Sequence, residues 1–164
     1  MSAAASQPKT VGRFQVINLL GKGGHGAVYF AHDPQLQRPV ALKTVRLEKQ
    51  SPEAIKALNE EARTISQLQH PNIVTLYDLV QEGGLQYMVL EYVEGQTLAQ
   101  KIAGVMLDKR EALDITRQIL DGLAYAHAKN ILHCDIKPAN IMIDKSGVAR
   151  IMDFGIAQQK GSAS

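Results

Sequence analysis

Over the first ninety positions, apolar residues come in short runs that read as extended chain. Residues 14–20 (FQVINLL) and 27–31 (AVYFA) are strand-like, and residues 39–47 (PVALKTVRL) alternate in character. The alternation sets Val40, Leu42 and Thr44 on one side of a strand and Ala41, Lys43 and Val45 on the other. A glycine-rich turn and an Asp33-Pro34 turn join these runs, which predicts an antiparallel sheet. Residues 73–80 and 86–92 add two more strands around Glu82-Gly83-Gly84, for five in all. Between them the period changes. Ser51-Pro52-Glu53 opens a helix with a hydroxyl cap, a proline in the first turn and an acid beside it. Ile55, Leu58, Ala62, Ile65 and Leu68 then recur at helical spacing.

A second regime follows Glu94-Gly95. Asp108-Lys109-Arg110-Glu111 reads as a capping box for a helix that runs to about Lys129. Its apolar positions cover about half the circumference, which predicts burial on more than one side. Residues 131–155 read as short strand and loop. The expected architecture is α+β: a sheet with one helix, a connector, then a helical part, with a ligand cleft between the halves.

Composition narrows the picture modestly. Hydrophobic residues are 45% and charged residues 21%, the profile of a globular chain. The net charge of +2 is dispersed, so no basic stripe suits nucleic acid. No apolar run approaches the roughly 18 residues of a membrane span. The opening MSAAASQPKT lacks the apolar segment of a secretory signal and reads as a solvated tail. A single cysteine, Cys134, excludes an internal disulfide and suits a reducing cytoplasm. An inert, buried thiol is the expectation there.

Three constellations carry chemistry. Gly21-Lys22-Gly23-Gly24-His25-Gly26 lies between two strands, where bare backbone amides can approach a phosphate. On the first helix Glu61 falls inside the apolar stripe while Glu60 faces away. A carboxylate turned toward a core needs a cation, and Lys43 is the candidate. His133-Cys134-Asp135-Ile136-Lys137-Pro138-Ala139-Asn140, followed by Asp153-Phe154-Gly155, offers a proton acceptor, a cation and hard oxygens for a metal. Each piece also has an ordinary reading as a turn or structural group, and for His133 the structural one is preferred.

Taken together and in order, these motifs resemble the eukaryotic-type serine/threonine protein kinases, with strand and hinge wording most similar to bacterial members. The glycine loop, VALK, Glu61, His70-Pro71-Asn72-Ile73-Val74, Glu91-Tyr92-Val93, the catalytic loop and DFG carry the likeness from about Phe14 to Ala157. The resemblance implies a five-stranded ATP-binding N-lobe over 13–90 after a flexible tail (1–12). A hinge at 91–96 and the first part of a helical C-lobe over 97–164 complete the layout. It implies ATP and Mg2+ as cofactors and a protein substrate bearing Ser or Thr.

The resemblance also implies, position by position, the following roles. Leu20, Gly21, Lys22, Gly23, Gly24, His25, Gly26 and Ala27 belong to the loop over the phosphates, and Val28 and Ala41 pack on adenine. Lys43 contacts phosphates and pairs with Glu61. Backbone groups of Glu91 and Val93 read the adenine edge, with Leu90 at the gatekeeper position. Asp135 and Lys137 are catalytic, and Asn140 and Asp153 hold magnesium. Two departures stand out. Cys134 replaces an arginine that many members use to clamp a phosphorylated loop. The chain also stops nine residues after Gly155, before the activation segment and APE motif, so a bare helix face would call for a covering partner. Two alternatives stay open: a nucleotide-binding or interaction module without turnover, and a kinase of small molecules.

Overall fold

The computed structural model describes residues 8–23, 26–47 and 51–154. They fall into two compact units, one made of residues up to Ile55 with Leu76–Tyr92, the other of Lys56–Thr75 with the chain from Val93 onward. Among the described residues no helix is long and apolar enough to cross a membrane.

The first unit is an antiparallel sheet of six strands, one more than the sequence predicts. They are β1 (Thr10–Val11), β2 (Phe14–Gly23), β3 (Gly26–Asp33), β4 (Arg38–Val45), β5 (Leu76–Glu82) and β6 (Leu85–Glu91), in the order β1-β2-β3-β4-β6-β5. The extra strand comes from residues assigned to the tail. Val11 pairs with Phe14 and is fully buried, but two residues are too few to show an alternation. Val11, Phe14, Ala31, Val40, Leu42, Tyr87 and Val89 form the core on one face. Alternation therefore turns Ala41 and Lys43 to the other face, as expected. Gly83 and Gly84 both have positive φ (57° and 76°), the backbone that a two-residue hairpin between β5 and β6 requires.

Asp33 ends β3 with its side chain entirely buried. It accepts the N–H groups of Gln35 and Leu36, closing the β3–β4 turn, and takes Nε and Nη2 of Arg13. The Arg13 guanidinium holds the Asp33 carboxyl below its ordinary value, with the turn amides assisting. A depressed carboxyl contributes stability above its unfolded value and loses it as pH falls through the folded one. Thermal unfolding followed by circular dichroism should therefore show Asp33→Asn well below the parent at neutral pH. The gap should close in acid below the ordinary carboxylate range, and a gap independent of pH would refute the ion pair's role.

In the second unit, α1 (Pro52–Ile65), whose first turn belongs to the sheet unit, buries Leu58, Ala62 and Ile65. Its cap is as read: Ser51 Oγ accepts the Ala54 N–H at 3.2 Å. Next come β7 (Gly95–Thr97), α2 (Leu98–Ile102), α3 (Lys109–Ala128), a 3-10 turn at Pro138–Asn140, β8 (Ile141–Asp144) and β9 (Ala149–Ile151). The last three strands form an antiparallel sheet in chain order. Asp108 caps α3 through the Arg110 and Glu111 N–H groups. The reciprocal half of the expected box is replaced, because Glu111 bonds Lys101 at the end of α2 instead, at 2.8 Å. A full capping box occurs on α2, where Thr97 and Gln100 satisfy each other's backbone. α3 buries Ile115, Gln118, Gly122 and Ala126 along one side. Its second apolar side is bare among the described residues, with Leu113 61% and Leu120 59% exposed.

Candidate active site

The loop after α3 is tied to the segment after β9 by a closed set of hydrogen bonds. His133 is buried, and its Nδ1 accepts the Asp135 N–H at 3.1 Å. Its proton must then sit on Nε2, which donates to the Met152 carbonyl at 2.6 Å. The ring meets Phe154 edge-on at 4.7 Å between centroids. The Met152 N–H donates to the Asn140 carbonyl at 2.9 Å. Met152, immediately before Asp153, is thus held from both sides by the loop that carries Asp135 and Asn140. The structural reading of His133 agrees with these contacts.

Within that loop, the Lys137 ammonium lies 3.3 Å from Asp135 Oδ2. Its hydrogen bond is the main reason the Asp135 carboxyl sits below its ordinary value, against some opposing loss of solvent. Asn140 donates Nδ2 to the Asp135 carbonyl (2.9 Å) and to Oδ2 (3.2 Å). That use of the amide nitrogen leaves Oδ1, a hard oxygen, as the atom Asn140 can offer a cation. Asp153 is exposed with φ of 60°, a backbone uncommon for a residue with a side chain. Among the described residues no group of three or more His, Cys, Asp or Glu forms a metal cage. A donor set of one amide and one carboxylate suits a hydrated Mg2+ that shares phosphate oxygens, and does not suit a closed structural site.

Cys134 corrects the sequence reading: the thiol is exposed, not buried. Its φ of 67° makes the bend between His133, whose ring takes the interior, and Asp135. The side chain at the apex is left in solvent.

The sheet unit carries most of the residues expected at a nucleotide. Strand register sets Val28 opposite Lys43 and Ala41 opposite Leu90, and alternation puts all four on the face away from the core. Glu91 follows at the end of β6, and Leu20 is exposed on β2. Gly21 pairs with Val28, Lys22 with Ala27, and Gly23 with Gly26. Gly24, His25 and Gly155 lie outside the described residues. Glu61 and Val93 belong to the other unit, with Asp135, Lys137, Asn140 and Asp153. Burial alone raises the Glu61 carboxyl above its ordinary value, so its charged form lacks compensation in proportion to its loss of water.

The glycines divide by what their own chain demands. At Gly26, with φ of 116°, an added Cβ would stand 2.2 Å from Thr44 Oγ1, and that hydroxyl already accepts the Ala27 N–H. At Gly21 and Gly23 no atom of the described residues, chain neighbours aside, lies within 4 Å of that position. Gly26→Ala should therefore lower the unfolding temperature. Gly21→Ala and Gly23→Ala should leave it nearly unchanged and weaken nucleotide binding several-fold, read by titration calorimetry. Equal effects on stability at all three would contradict this division.

Sequence reasoning passed over Gln118 and named Asn72 only within the His70–Val74 motif, without a role; both are buried polar residues of the second unit. The available signal was a glutamine in line with Ile115, Gly122 and Ala126 on an apolar stripe.

A profile of the protein kinase domain matches residues 14–164, and the chain belongs to that family. It is 44% identical over 93% of its length to the serine/threonine-protein kinase PrkC of Bacillus subtilis. It is 39% identical, again over 93%, to a probable serine/threonine-protein kinase of Streptomyces coelicolor. It spans 24% of the length of each. Among solved structures it superimposes on the PknI kinase domain of Mycobacterium tuberculosis with a TM-score of 0.81 at 28% identity, covering 92% of this chain and 63% of that one. The family uses ATP with Mg2+ to phosphorylate protein hydroxyls.

Proposed function

We propose that this chain binds ATP with Mg2+ and transfers the γ-phosphoryl group to serine or threonine hydroxyls of proteins. The observation that carries the reading is the Asp135–Lys137–Asn140 loop, hydrogen-bonded to Met152, the residue preceding Asp153. Asp135 orients the substrate hydroxyl and accepts its proton as that oxygen bonds to the γ-phosphorus and the bond from the γ-phosphorus to the β,γ-bridging oxygen breaks, ADP leaving. Lys137, now on Asp135, follows the γ-phosphate as its charge grows. Asn140 Oδ1 and the Asp153 carboxylate hold the metal, which when bound neutralises the phosphate oxygens. Lys43 reaches the α- and β-phosphates, with Glu61 as the carboxylate that pairs with it. Leu20, Val28, Ala41 and Leu90 form apolar walls for adenine, and the backbone of Glu91 and Val93 reads its edge. The exposed, unpaired thiol of Cys134 fits a cytoplasmic setting. The bare Leu113 and Leu120 side of α3 supports a covering element, from the same polypeptide or from a partner.

The test is transfer of labelled phosphate from ATP to a generic basic protein, with choline and an aminoglycoside as competing acceptors. Labelled phosphoserine or phosphothreonine is the expected product. Tighter nucleotide binding with Mg2+ but no transfer to any acceptor would reduce the chain to a binding module. Transfer to the small acceptors alone would reassign it.

A further inference from the structure

We infer that Gln118 is a positioning residue for Asp153, acting through the outer edge of β9. This inference rests on the metal-holding role proposed for Asp153.

β9 is three residues long and pairs with β8 on one side only. Among the described residues its other edge meets no named strand, only a single parallel bridge from Ile73 to Ile151, and such an edge leaves backbone groups in want of partners. Here every one of them is taken. The Ala149 N–H donates to Gln118 Oε1 (2.8 Å), and the Ala149 carbonyl accepts from Asn72 Nδ2 (2.9 Å). The Ile151 N–H donates to the Asn72 carbonyl (2.8 Å), and the Ile151 carbonyl accepts from the Val74 N–H (2.9 Å). One residue later, Met152 is held by Asn140 and His133. Asp153 comes next.

Gln118 organises this edge. Its Oε1 also accepts Asn72 Nδ2 at 3.0 Å, which orients the second amide. Its Nε2 donates to Asp114 Oδ2 (2.9 Å) and to the Gly147 carbonyl (3.2 Å) in the turn that leads into β9. All four hydrogen-bonding positions of the amide are therefore used. Both amides are buried, Gln118 at 7% and Asn72 at 8% exposed. One turn along α3, Gly122 makes room for the loop: a Cβ there would stand 3.1 Å from the Asn72 carbonyl.

So short a strand has little of its own to specify register. A slip of one residue would carry Asp153 about 3.3 Å along the strand and turn every following side chain to the other face. Only one placement of β9 satisfies Gln118 and Asn72 together, because a slip leaves a buried amide unpaired. Gln118 never approaches the reacting atoms. It sets where the metal-holding carboxylate is delivered.

The test compares binding of Mg·ATP and of ATP in EDTA, by titration calorimetry, in the parent protein, Gln118→Met and Gln118→Glu. Methionine keeps the length and removes every hydrogen bond, whereas glutamate keeps the acceptor for Ala149 and Asn72. Gln118→Met should weaken Mg·ATP binding by about tenfold, the scale of losses from supporting residues around metal ligands. Its affinity for metal-free ATP should stay within about twofold, and Gln118→Glu should recover only part of the loss, because its carboxylate would face Asp114 Oδ2 and the Gly147 carbonyl where the amide donates. Linkage requires the converse in the parent protein, which keeps the test open should a variant fail to fold. Mg·ATP should slow hydrogen exchange of the Ala149 amide several-fold more than ATP in EDTA does. Equal losses for the two ligands, or an Ala149 amide indifferent to the metal, would leave Gln118 a stability residue only and overturn the inference. A parent protein that binds neither ligand would instead remove the proposed function, and this inference with it.

Discussion

Asp135→Asn should lower phosphate transfer by about 100- to 10,000-fold, the range in which a general base contributes, and leave ATP binding intact. Asparagine keeps the outline of the side chain and an oxygen to accept Asn140 Nδ2. It removes the proton acceptor and the charge that now holds Lys137 at 3.3 Å. The backbone contacts that build the loop do not involve the carboxylate: the Asp135 N–H goes to His133, and its carbonyl accepts from Asn140. Initial rates with labelled ATP, beside nucleotide-induced thermal stabilisation, separate chemistry from folding. A variant that keeps more than about a tenth of the parent rate would assign the proton to another acceptor.

Gly95→Ala should have the largest effect on stability. An added Cβ would stand 2.0 Å from the Ile143 carbonyl oxygen and 2.8 Å from Asp144 Cα, both backbone atoms that cannot swing aside. β7 must then separate from β8, and the cost should reach about 3 kcal/mol, the upper part of the range for overpacked sites. For a chain of this length that corresponds to a fall of roughly 6–12 °C in unfolding temperature. Gly21→Ala, with open space around it, is the internal control. A comparable fall in both variants would mean that the close approach of β7 to β8 is not what requires Gly95.

The contrast between those glycines also shows where the sequence is legible. Gly83-Gly84 declared its hairpin because only one turn geometry suits a pair of such residues between two apolar runs. The site motifs were legible for a different reason. Asp135, Lys137, Asn140 and Asp153 lie within nineteen positions of one another, and local hydrogen bonds gather them. The misses were short or non-local. β1 and β7 contain two and three residues, too few for a period to emerge, and α2 has only five. Glu111 was expected to fold back on its own helix but is drawn to Lys101, a choice that depends on where another helix ends. The Gln118–Asn72 pair joins residues 46 positions apart. Nothing in either neighbourhood advertises the other, and a polar residue among Ile115, Gly122 and Ala126 was the one local hint.

The exposed bend at Cys134 has a practical corollary. The chain contains a single sulfhydryl, so a maleimide fluorophore would label one position, adjacent to Asp135. Its emission would report nucleotide arrival in real time, with no second dye to subtract and no engineered handle to introduce.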